Sequence, residues 1–69
     1  MSEHVYKKLE LVGSSKDSIE GAIHNAIAAA GKSVKNVEWF EVRETRGHVE
    51  NGKVAHFQVV VKVGFRVDV

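Results

Sequence analysis

Apolar and polar residues alternate with a strand period at both ends of this chain and with a helical period between them. Val5 to Val12 reads as a β-like run that stops at Gly13. Ile19, Ala22, Ile23, Ala26, Ile27 and Ala30 then recur along one face of a helix. Ser14 is the expected N-cap, with Asp17 three residues on, and Gly31 beside Lys32 is the expected C-terminal stop. From Val37 to Val49 the pattern is extended again, and Asn51-Gly52 signals a tight hairpin. The return arm runs from Lys53 to Val69. Ala55, Phe57, Val59, Val61, Val63, Phe65, Val67 and Val69 share one parity and predict its buried face. Val54, His56, Gln58, Val60, Lys62, Gly64, Arg66 and Asp68 predict the more polar face. Strand, helix, strand, strand implies a single α+β domain over residues 1–69. Its three-stranded antiparallel sheet wraps partly around one helix.

Composition adds a constraint that the pattern alone does not carry. A chain of 69 residues buries only roughly 60% of its unfolded surface, and such small scaffolds usually need a staple. There is no cysteine, so disulfides and thiolate metal sites are excluded. Hydrophobic residues at 43% and charged ones at 28% describe an ordered globular chain. Ten basic residues against nine acidic ones argue against nucleic-acid or membrane electrostatics. The opening Met1-Ser2-Glu3-His4 has no apolar leader pattern, and no stretch approaches membrane-spanning length. The expectation is a cytoplasmic module that completes its core by self-association, with neither nucleic acid nor membrane as partner.

Candidate chemistry is sparse. If Phe40 and Val42 keep step with a core face, then Trp39, Glu41 and Arg43 point the other way. An outward tryptophan is either covered by a neighbouring subunit or stacked on a flat π-ligand, and the two are compatible. Gln58 shares the outward parity; its amide suits the edge of a heteroaromatic ring, or is simply solvated. His4, His24, His48 and His56 show neither HxH nor HExxH spacing. A two-residue turn would pair His48 with Ala55 and put His48 and His56 on opposite faces, so no metal site within one chain is expected. Gly13-Ser14-Ser15 lacks the glycine spacing and lysine of a phosphate loop. No nucleophile-base pair or paired-carboxylate motif stands out. Ser14, Ser15, Glu41 and Glu44 have roles as cap and solvated charges, and an enzyme is not supported.

Several segments together resemble the dodecins, small flavin-binding proteins. They are Val5-Tyr6-Lys7-Lys8, Leu11-Val12-Gly13-Ser14-Ser15, Val37-Glu38-Trp39-Phe40-Glu41-Val42, Arg46-Gly47, Phe57-Gln58-Val59 and Val63-Gly64-Phe65-Arg66-Val67. The resemblance spans nearly the whole chain and is to the bacterial branch. It implies a β-α-β-β protomer in a hollow homododecamer, binding flavins in pairs between symmetry-related tryptophans at subunit contacts. Trp39 matches the stacking residue, Gln58 the amide on the isoalloxazine edge, and Arg46 a position near the flavin. By strict alternation Arg46 faces away from Trp39, and reaches the same pocket only through a bulge or from another protomer. His48 lies near a position that archaeal members use as a pocket wall. The implied function is storage, buffering and photoprotection of FMN or riboflavin, with FAD as a further choice. Coenzyme A is also implied near three-fold contacts, where Lys7, Lys62 and Arg66 would meet its phosphates. The alternatives are a purely structural oligomer, or a single-stranded nucleic-acid binder with Trp39 as stacking platform.

Overall fold

A computed structural model of the chain describes residues 3–67. Its elements are β1 (Val5–Ser15), α1 (Ile19–Ser33), β2 (Val37–Glu50) and β3 (Lys53–Val67), in that order. Asp68 and Val69, expected to continue the last strand, lie outside the described residues. The sheet order is β1-β3-β2, so the long return arm is central and antiparallel to both neighbours. Its β-branched alternation is what a strand buried on one face requires. Val59, Val61 and Val63 are fully buried beneath Ala22, Ala26 and Ala30 of α1.

The helix sits over β1 and β3, and the approach is close because the residues are small. A Cβ at Gly13 would collide with the Ala22 carbonyl and the Ala26 methyl. Gly13 therefore does not end β1. The strand continues through it to Ser15, pairing Gly13 with Val59 and Ser15 with Phe57. This moves the helix start. Ser14 is a strand residue, and the N-cap is Ser18, whose extended backbone lets its Oγ accept from the Gly21 N–H at 2.9 Å. Ser15 makes the bend, its Oγ accepting from the N–H groups of Asp17 and Ser18. At the other end α1 runs through Gly31 to Ser33, and the Val34 N–H closes on the Ala30 carbonyl. The left-handed residue that redirects the chain is Asn36, with φ of 64°.

The hairpin forms as expected: Asn51 and Gly52 both have positive φ, the signature of a two-residue turn matching strand twist. What simple alternation misses is that β2 and β3 fall out of step three times. The breaks lie between Val37 and Trp39, between Val42 and Glu44, and between His48 and Val49. Phe40 and Val42 do share the helix-side face, opposite Val63 and Val61. They are not core residues of the protomer, however, because β2 extends beyond the helix and leaves them 46% and 44% exposed. No helix among the described residues is long and apolar enough to cross a membrane.

Candidate functional site

The face of the sheet turned away from α1 carries the polar chemistry. Trp39 pairs with Gly64 across β2 and β3, and its six-membered ring lies across that glycine. A Cβ at Gly64 would overlap Cε2, Cζ2 and Cη2 of the indole. Tyr6 of β1 meets the indole edge-on, centroids 5.2 Å apart and planes at 73°. The indole Nε1–H donates to Glu41 Oε2 at 3.1 Å, and Lys8 Nζ reaches the same oxygen at 2.8 Å. These donors hold the Glu41 carboxyl below its usual range, Lys8 contributing most and Trp39 next.

Arg46 is the position most changed by the folded chain. The break at Arg43 inserts one residue between the Val42–Val61 and Glu44–Val60 pairs, which inverts the facing of everything after it. Arg46 therefore lies opposite Gln58 on the same face as Trp39, and its Nε donates to Gln58 Oε1 at 3.0 Å. The guanidinium also stands 3.6 Å from Glu44. His48 and His56 correct the expected pairing. They are direct cross-strand partners, because Ala55 is the residue left unpaired near the turn. Their rings stack at 5.3 Å with planes 11° apart, and Gln58 Nε2 lies 3.4 Å from His56 Nε2. Arg46, Gln58, His56 and His48 thus form one polar chain. Among the described residues no group of three or more metal-ligating side chains converges.

Trp39 is not part of that chain. Its partner Gly64 and Gln58 stand six residues apart on β3, roughly 20 Å along a strand. One protomer brings Arg46, Gln58 and His48 together and leaves the indole at a distance. The hollow of about 480 Å³ at the entry to α1, lined by Ser14, Ser15, Lys16, Asp17, Asn25 and His56, does not include Trp39 either. Of the three cations considered for phosphates, Lys62 and Arg66 share the outer face, while Lys7 pairs with Phe65 on the helix side. They do not converge within a protomer.

Sequence reasoning placed Glu41, Gly64 and His56 on this face without giving them a part in the site, and it missed Tyr6 and Lys8. Tyr6 and Lys8 were within reach, since the even positions of β1 alternate onto it, and Glu41 stands two residues from Trp39 on one strand. The part of Gly64 as the seat of the indole was invisible, because a glycine in a strand does not announce what lies across it.

A planar ligand fits these groups by type: an indole surface for stacking, an amide with its carbonyl fixed by Arg46, and a cation beside it. Comparisons with known proteins find relatives over nearly the whole chain. The family model described as Dodecin matches residues 5–68. The curated dodecin of Thermus thermophilus is 48% identical over 64 residues, covering 93% of both chains. The solved structure of dodecin from Streptomyces coelicolor superposes with a TM-score of 0.94 at 43% identity, covering 100% of this chain and 99% of that one. That of Streptomyces davaonensis dodecin gives 0.93 at 44% identity, covering 99% and 100%.

Proposed function

The chain belongs to the dodecin family, and from that premise we propose that it is a cytoplasmic flavin-sequestering protein that holds FMN or riboflavin between copies of itself. The observation that carries this reading is Trp39: an indole laid across a strand at a glycine, fixed at its N–H and its edge. Because Trp39 and Gln58 lie roughly 20 Å apart along β3, a flavin on the indole takes its amide contact from another copy. The single protomer then supplies two half-sites, one apolar and one polar, and a symmetric assembly such as a dodecamer closes them.

In such a site Trp39 stacks on the isoalloxazine. Gln58, held at its carbonyl by Arg46, presents its N–H groups to acceptors on the ring edge. Arg46 and the neighbouring His48 supply positive or hydrogen-bonding character beside it. A bound flavin supplies a planar oxidant whose excited state is quenched by electron exchange with the indole. Stacking covers the ring face a substrate would need, so sequestration and photoprotection fit better than turnover, and no enzyme activity is assigned.

The test is a titration of FMN and of riboflavin with the purified apo-protein, read by flavin fluorescence. Quenching that saturates is expected, and Trp39→Ala should abolish both quenching and tight binding. Unquenched flavin at saturating protein would refute the reading. A Trp39→Ala variant that quenches like its parent would remove the stacking mechanism.

A further inference from the structure

Resting on the reading of Trp39 as a stacking surface, we propose that Glu41, braced by Lys8, is the positioning residue that fixes the indole across β3 and holds it ready for a planar ligand. Glu41 and Trp39 are two residues apart on β2 and share the outer face, pairing with Lys62 and Gly64. That spacing lets the carboxylate reach Nε1 at 3.1 Å. Lys8 comes from β1, two strand spacings away, about 9–10 Å. It spans the central strand and still reaches the same oxygen at 2.8 Å. The β3 residue opposite Lys8 is Gly64, the same glycine that the indole covers.

The indole is thereby held on three sides: backbone at Gly64 beneath it, Tyr6 at its edge, and a carboxylate at its N–H. Only the Glu41 contact is charged, and a charge-assisted hydrogen bond is both stronger and more directional than a neutral one. It has an electronic consequence as well: a carboxylate on the indole N–H makes the ring a better electron donor. Lys8 keeps the carboxylate in place and ionised. The other charged groups facing it are Lys62 opposite on β3, Arg43 on its own strand, and Glu10 beyond Lys62 on β1. With Lys8, three cations against one further carboxylate favour the charged form.

The carboxyl is held below its ordinary range in the folded state. The contact is therefore complete above the ordinary glutamate range and is lost as pH falls through the lower, folded value. The full chain has one tryptophan, so a ¹⁵N-labelled, ligand-free sample gives one indole N–H resonance. That resonance is expected to move on acidification with a midpoint below that of ordinary glutamate. The midpoint should rise in Lys8→Met, and the movement should vanish in Glu41→Ala. FMN affinity, measured on samples whose solution mass matches the parent, should fall about tenfold in Glu41→Ala, the scale of one charge-assisted hydrogen bond. Glu41→Gln, which keeps an acceptor oxygen without the charge, should recover part of it. Should Glu41→Ala fail to assemble, Lys8→Met carries both readouts. An indole resonance indifferent to acidification overturns the proposal, as does Glu41→Ala binding FMN as tightly as the parent. A parent protein that binds no flavin would refute the sequestration reading instead, and the indole titration would still decide the role of Glu41.

Discussion

At the scale of single residues, the indole and the glycine beneath it form one unit. Gly64→Ala places a methyl where the ring of Trp39 now lies. An overpacked contact of this kind costs about 1–3 kcal/mol unless the neighbour moves, and the half-buried indole is the part free to move. The expected result is a folded protein whose tryptophan emission shifts to longer wavelength and whose FMN affinity falls. Unchanged emission and affinity would mean that the indole does not rest on Gly64 in solution. Gln58→Leu removes the amide but leaves the ring, so FMN should still be quenched when bound. Affinity should drop by several fold, corresponding to about 1 kcal/mol for each hydrogen bond lost. The facing of Trp39 was legible in the alternation of its strand, and so was that of Gln58. The His48–His56 stack was not, because one unpaired residue at Ala55 decides it, and no residue type there signals a break.

At the scale of elements, the same limitation has a larger effect at Arg43. The sequence shows that β2 is long and that its polar residues include Arg46, but not where the ladder skips. Strand parity is a relation to the partner strand, and one bulged residue inverts everything beyond it. Deleting Arg43 should restore simple alternation while keeping Glu44 opposite Val60 and Arg46 opposite Gln58. Arg46 would stay on the face of Trp39 with its bond to Gln58, and FMN affinity should stay close to that of the parent while the circular dichroism of the sheet persists. A large loss of affinity would show that the ladder does not close over the deleted residue and that Arg46 has left this face. The helix start yields a cleaner contrast. Ser14 looked like the cap only because Gly13 looked like a stop, whereas the close packing of α1 on Gly13 lets β1 run on to Ser15. Ser18→Ala should therefore cost about 1 kcal/mol of stability, and Ser14→Ala, whose carbonyl rather than hydroxyl meets Asn25, should cost much less. Denaturant unfolding of the two variants checks this. Equal losses would return the cap to Ser14.

At the scale of the whole molecule, the protomer is underfilled. No fully buried side chain among the described residues is larger than valine, and the shape is drawn out to 56 × 19 × 13 Å. Apolar side chains that a stable core would use, Phe40 and Val42 among them, lie on the helix-side face past the edge of α1. The shortage of core predicted from length and the absence of cysteine is thus matched by exposed apolar surface, which another copy covers in the proposed assembly. The separation of Trp39 from Gln58 along β3 makes the same demand of the proposed flavin site. The two requirements can be tested together with Phe40→Asp, which puts a charge into the apolar strip and leaves Trp39, Gln58 and Arg46 untouched. Sedimentation should show a smaller species than the parent. If flavin sits between half-sites of different copies, quenching of FMN should be lost at the same protein concentrations at which the assembly is lost, and both should return together as concentration rises. A small species that still quenches FMN with parental affinity would mean that one copy suffices, and that Gln58 and Arg46 have no part in the site.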